Sequence, residues 1–147
     1  VGSMLVGSTE FIRRAHRVRK LLGGGMRQAG VLAAAGIVAL EQMVERLVED
    51  HANCKQLAQG LSDYPQIDIH PERVVTNMLL FTVHDTQQQP LTDETLNQFL
   101  ERAREHGVLL DQIGRGKIRA VTHYGITAED IAAALAGIRR ALIETKI

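Results

Sequence analysis

The sequence predicts an α/β chain whose carboxy-terminal part is a small α+β unit, a short sheet with helices on one face. Three observations carry that prediction. Apolar residues keep near-helical spacing over a long stretch, about 28–61; a segment dense in Val, Thr, Leu and Phe follows at 74–83; and two shorter strand-like runs sit between two well-capped helices near the end. At 147 residues the chain is long enough for one domain with a real core, or for a small domain with a helical extension.

Taken in order, Met4 to Val6 is a short apolar stretch ended by Gly7, read most simply as a strand feeding a helix. Ser8 or Thr9 offers the capping hydroxyl for that helix, about Thr9 to Leu21, with Glu10 near its positive end. Phe11, Ala15 and Val18 recur at intervals of three or four, an apolar stripe expected to face a core, with Arg13, Arg14, Arg17, Arg19 and Lys20 largely around it. Gly23-Gly24-Gly25 breaks the helix, because successive glycines carry a high helix cost and reach backbone angles closed to other residues. One very long helix, with room for a kink, is then expected over 28–61. Its first part, Ala29 to Ala39, is so rich in small residues that burial, even at a subunit interface, is expected.

Ser62-Asp63-Tyr64-Pro65 ends this helix, and Val74 to Val83 reads as a strand. Thr92 caps a helix with Asp93 and Glu94 in its first turn, Leu96, Phe99, Leu100 and Ala103 on its apolar face, and Gly107 at its end. Val108 to Leu110 and Lys117 to Thr122 then read as two strands joined by the glycine-containing connection 111–116. Thr127 caps the last helix with Asp130 three residues on, and Ile131, Leu135, Ile138 and Leu142 point inward.

Composition narrows the function. Seventeen basic and seventeen acidic residues leave zero formal net charge, so no global field draws the chain to nucleic acid or anionic lipid, and an aromatic content of 3% leaves few platforms for stacking bases. The longest apolar run, Val31 to Leu40, is too short to span a bilayer, and no signal sequence opens the chain, which together predict a cytoplasmic protein. Cys54, alone in the sequence, reads as a packing residue in a reducing compartment. His16, His51, His70, His84 and His106 show no ligand spacing and no cysteine pair, so no catalytic transition metal is expected.

Two places could carry chemistry. Lys20 and Arg27 bracket the glycine loop, and bare amides at a helix start with flanking cations favour an oxyanion or phosphate; a flexible joint with solvated charges is the alternative. Alternation along 117–123 sends Ile118 and Ala120 to one face and Arg119, Val121 and His123 to the other. Arg119 there suits a substrate carboxylate, although an internal salt bridge to Asp111 or Glu129 would satisfy it equally well, and His123 reads more simply as a structural strand-end histidine.

Val1-Gly2-Ser3-Met4-Leu5-Val6-Gly7 and the block from Arg19 through Gly23-Gly24-Gly25-Met26-Arg27-Gln28 to Gly36 resemble the segment that follows the cofactor lysine in low-specificity L-threonine aldolases. Glu49-Asp50-His51-Ala52-Asn53, Thr76-Asn77-Met78-Leu79 and Arg119-Ala120-Val121-Thr122-His123 recur in that family's order, so the resemblance spans essentially the whole chain. Gln87-Gln88-Gln89-Pro90 and His70-Pro71-Glu72-Arg73 match no motif of the family. Taken alone, Gly2-Ser3-Met4 reads either as a cloning remnant or as native sequence; because the match includes residues 1–3, the native reading is favoured, and a start at Val1 is read as that of a fragment or a cut chain.

The resemblance implies the carboxy-terminal portion of an aspartate-aminotransferase-like fold: 1–27 from a large cofactor-binding domain, 28–61 a connecting helix, and 62–147 a small α+β domain. It implies a homodimer or tetramer using pyridoxal phosphate to cleave 3-hydroxy-amino acids to glycine and an aldehyde. Arg119 matches the arginine that grips the substrate carboxylate, and Lys20 and Arg27 match cations near the cofactor phosphate of a neighbouring subunit. The family's Schiff-base lysine stands a few residues before the position of Val1 and is absent, so the chain alone is expected to be inactive. A non-enzymatic oligomerising domain derived from such an enzyme is the alternative.

Overall fold

A computed structural model describes residues 4–114 and 116–147. The Val1–Ser3 part of the resemblance and Arg115 of the hairpin connection lie outside the described residues. The chain divides into two compact units, Val1–Glu45 and Arg46–Ile147.

The first unit holds α1 (Thr9–Leu21) and α2 (Gly30–Gln42). Ser8 caps α1, accepting from the Phe11 amide at 3.3 Å, with Glu10 at the positive end and Arg19 and Lys20 in the last turn, so caps and charges agree with the helix direction. No strand forms at Met4–Val6, where no second strand among the described residues completes its backbone hydrogen bonds. No residue of α1 or α2 is buried: the Phe11 stripe expected to face a core is exposed, and so is the small-residue segment expected to be buried, with Val31 69% and Leu40 72% exposed. A helix apolar on every side ordinarily lies inside a protein, and nothing among the described residues of this unit covers α2.

The single helix expected over 28–61 is interrupted. α2 ends at Gln42 and α3 (Leu47–Leu61) begins anew after Arg46. The second start has its own local cause: Glu49 and Asp50 fall in the first turn of α3, where acidic groups are favourable, and Arg46 at the cap reaches both.

The second unit is the small α+β layer structure. β1 (Ile67–Asp68), β2 (Met78–Val83), β3 (Asp111–Gln112) and β4 (Lys117–Val121) form an antiparallel sheet in the order β1-β2-β4-β3. Leu79, Phe81 and Val83 of β2 and Ile118 and Ala120 of β4 face inward. Cys54, Leu57 and Leu61 of α3, Leu96 and Phe99 of α4 (Asp93–Glu105), and Ile131, Ile138 and Leu142 of α5 (Ala128–Thr145) complete that core. Thr92 caps α4, and Thr127 and Asp130 form a reciprocal capping box on α5. Where α5 passes the end of α4, a β-carbon at Gly137 would stand 2.8 Å from Val108 Cγ2 and 3.1 Å from the His106 carbonyl oxygen, so any larger residue there would force its neighbours to shift.

Two strand expectations shift. The strand expected from Val74 begins at Met78, because a 3-10 turn at Pro71–Arg73 and a bend at 76–77 occupy the preceding residues. The strand expected at Val108–Leu110 lies instead at Asp111–Gln112, since the Val108 amide closes the end of α4 on Ala103. Among the described residues no helix is long and apolar enough to cross a membrane.

Candidate functional site

In the first unit the glycine triplet does a different job from the one its composition suggests. Gly23 takes φ +79°, its amide donates to Lys20, and the Gly24 amide donates to Arg19 at 2.9 Å, which is the double closure that ends a helix at a left-handed residue. Those amides are therefore engaged, and α2 opens only at Gly30, so the reading of bare amides at a helix start does not hold at the triplet. What remains is cationic. A β-carbon at Gly25 would lie 3.2 Å from Lys20 Cδ and 3.9 Å from its Nζ, so the bare glycine is what lets the Lys20 side chain fold across the loop. Arg27 stands exposed two residues on.

Arg119 belongs to the second unit. Alternation along β4 puts Ile118 and Ala120 in the core and leaves Arg119 and Val121 on the open face of the sheet. Asp111, opposite Arg119 in the β3–β4 register, accepts from its Nη2, so the salt-bridge partner is Asp111 rather than Glu129. Its Nε is buried and has no partner among the described residues. His123 lies past the strand, exposed, with Nδ1 2.9 Å from the Tyr124 carbonyl oxygen, which makes Nδ1 the protonated nitrogen.

The Glu49–Asn53 and Thr76–Leu79 segments, to which the resemblance gave no role, meet the end of this strand at Thr122. The Thr122 hydroxyl donates to the Asp50 carbonyl oxygen at 2.6 Å; the Thr122 amide donates to Asn77, and the Asn77 side chain donates back to the Thr122 carbonyl. Asn53 donates to the Ile126 carbonyl at 2.8 Å. The buried Asp50 carboxylate takes two bonds from Arg46, at 2.8 and 3.0 Å, and the Arg46 guanidinium lies 4.9 Å from the Tyr124 ring centroid. This knot ties the end of β4 to α3 and β2 and thereby fixes where Arg119 stands. Sequence reasoning missed it, although the i, i+4 spacing of Arg46 and Asp50 was a readable signal.

Hydrogen bonds from Arg46 hold the Asp50 carboxyl below the usual carboxylate range against the opposing cost of burial. The folded value lies below the unfolded one, so this contribution to stability is fully present above the unfolded pKa of about 4 and is lost as pH falls through the depressed folded value. Asp50→Asn is therefore expected to flatten the decline of stability below about pH 4. Urea midpoints measured across the acid range check this, and an acid limb as steep as that of the parent chain would exclude it. Burial pushes the Cys54 thiol up, consistent with a packing role.

As to pyridoxal phosphate, the donors fit its anionic end and not its covalent anchor. Lys20 and Arg27 offer exposed cations to a phosphate, and Arg119 offers donors to a carboxylate. Lys20, Lys55, Lys117 and Lys146, the lysines of the chain, are all exposed, unlike an amine sequestered for a Schiff base.

Comparison with known proteins bears on the family and the fold. A family model for beta-eliminating lyases matches residues 1–86. Low-specificity L-threonine aldolase 1 of Arabidopsis thaliana is 42% identical over 97% of this chain, and the low specificity L-threonine aldolase of Escherichia coli K12 is 40% identical over 90% of it. The chain spans 38% and 36% of those proteins, their carboxy-terminal part. Among solved structures, a Bacillus anthracis aminotransferase matches with a TM-score of 0.58 at 16% identity, covering 77% of this chain and 27% of that one. A Virgibacillus transaminase matches with a TM-score of 0.59 at 17% identity, covering 78% and 27%. Those likenesses give the fold, that of fold type I aminotransferases, while the family match covers more than half of the residues. With its motif segments gathered around one strand and its sequence matched from residue 1, the chain belongs to the beta-eliminating lyase family.

Proposed function

We propose that this chain is the carboxy-terminal portion of a pyridoxal-phosphate-dependent lyase that cleaves threonine-type 3-hydroxy-amino acids to glycine and an aldehyde. The observation that carries this reading is the 42% identity to an L-threonine aldolase over 97% of the chain, which takes in the segments bearing Lys20, Arg27 and Arg119. The cofactor, when bound, supplies an electron sink for cleavage between the α and β carbons. The chain's own residues bind and orient. Arg119 grips the substrate carboxylate and so fixes the direction of the bond to be broken. Lys20 and Arg27 balance the charge of a cofactor phosphate held by a neighbouring subunit. The Schiff-base lysine belongs to the portion of such an enzyme that precedes these residues.

The working protein is a cytoplasmic homodimer or tetramer in this reading, and the exposed α2, apolar on all sides from Gly30 to Leu40, supports a contact there. The same helix favours a second reading, an oligomerising domain without catalysis. Co-expression with the amino-terminal portion of the Arabidopsis relative separates them. Regained release of glycine from L-threonine, together with the visible absorbance of bound cofactor, is the expected result. A stable oligomer of the chain, indifferent both to the added portion and to pyridoxal phosphate, would establish the second reading instead.

A further inference from the structure

We propose that Asp111 is a displaceable internal ligand of Arg119, a carboxylate that holds the guanidinium until a free carboxylate takes its place and so sets how tightly the site grips small carboxylates. The inference rests on the carboxylate-binding role proposed for Arg119. Three observations carry it.

First, the pairing is built into the sheet. Asp111 and Arg119 are direct partners in the β3–β4 register, so their side chains leave the same face, and β3 is two residues long, which makes Asp111 half of what that strand presents. Second, the contact runs through one nitrogen. Nη2 donates to Asp111 Oδ2, and among the described residues the group makes no second hydrogen bond. A guanidinium takes a carboxylate in parallel two-bond fashion through either of two edges, Nε with Nη2 or Nη1 with Nη2. The buried Nε closes the first edge to an incoming ligand, and Asp111 sits on Nη2, the nitrogen that both edges share. A free carboxylate bonding Nη1 and Nη2 would stand against the anion that Asp111 already places on Nη2, and the repulsion between the two weakens its grip until Asp111 moves away.

Third, the pair is arranged to yield. The Arg119 side chain is 39% exposed and that of Asp111 58%, and single-point ion pairs at such exposure are weak beside a two-bond contact. Leu80, opposite Arg119 on β2, and Val121, two residues along β4, flank the guanidinium with half-exposed apolar surface, so a small carboxylate arriving there meets no other anion from those two positions.

The test uses the 147-residue chain and acetate as the probe, at constant ionic strength, with the Nε–H resonance of Arg119 and the carboxyl carbon of Asp111 followed by NMR. Acetate is expected to move both signals with one dissociation constant. Asp111→Asn is expected to tighten acetate binding on the order of fivefold, the factor an exposed ion pair accounts for. Asp111→Ser serves as a second, smaller replacement expected to change affinity in the same direction. Tighter binding is a result that damage to the sheet edge does not produce. Acetate binding unchanged or weakened in both variants overturns the proposal, as does an Arg119 signal that acetate fails to move in the parent chain. If binding tightens as stated but the co-expressed portions yield no lyase, the activity reading fails and the role of Asp111 stands.

Discussion

Arg119→Ala, introduced into the chain completed by an amino-terminal portion, is expected to lower kcat/KM for L-threonine by about 10- to 150-fold. That factor follows from the roughly 1.5–3 kcal/mol that hydrogen bonds to a charged group contribute. In that reading the lost grip, common to ground state and transition state, should show as a higher KM, and the lost orientation of the bond to be broken as a lower kcat. Arg119→Lys keeps the charge but loses the planar fork, and falls between the two. The decisive control is the substrate itself. L-Threonine amide has no carboxylate to grip, so parent and variant should handle it equally, which global damage to the site would not reproduce. The fold is not at stake in this variant, since the side chain stands on the open face and its partner Asp111 is more exposed than it is. Kinetics identical to the parent enzyme for both compounds would remove Arg119 from the carboxylate site.

The elements legible in the sequence are those whose signals are local. α1, α4 and α5 each announce themselves by a capping hydroxyl, Ser8, Thr92 or Thr127, followed by acidic residues in the first turn, and all three appear with those caps made. The elements that shift are those whose position depends on a partner. Val108 to Leu110 has the composition of a strand, but the end of α4 claims the Val108 amide, and pairing with β4 starts the strand three residues later, at Asp111. β1 is two residues long and has no periodicity to read; it exists because Ile67 finds Val83. The helix expected over 28–61 breaks at 43–46 for a related reason: apolar spacing continues through those residues while a fresh acidic first turn restarts the helix beyond Arg46.

The candidate site divides along the same line. Alternation on β4 is a local property, and it sends Arg119 to the open face as read. Which acid would meet Arg119 was a tertiary question with two answers available, Asp111 and Glu129, and register decided it. The knot of Asp50, Asn77 and Thr122 joins residues 45 and 72 positions apart in sequence, and no pattern within a window reports such pairs. At the glycine triplet the sequence revealed a permissive backbone without revealing that the Gly23 and Gly24 amides are used to close α1.

Phe99→Ala is the substitution expected to cost the fold most. Phe99 is fully buried on α4 and is the largest of the side chains with no exposure, in the core that α3, α4 and α5 make with the inner face of the sheet. Truncating it removes the ring's transfer energy and leaves a cavity that Leu96 and the facing residues fill only in part, a loss of about 3–5 kcal/mol. Domains of this size are stable by roughly 5–15 kcal/mol, so the variant sits close to its unfolding threshold. The matching change in the first unit, Phe11→Ala, removes a ring that is 50% exposed and is expected to leave the denaturant midpoint almost unchanged in the chain alone. The contrast tests where the stability resides. If residues 46–147 hold it, Phe99→Ala shifts the urea midpoint sharply with little change in slope, while Phe11→Ala does not. Equal shifts in the two variants would mean that α1 and its apolar stripe are buried in the chain in solution, and that the first unit contributes to the cooperative fold.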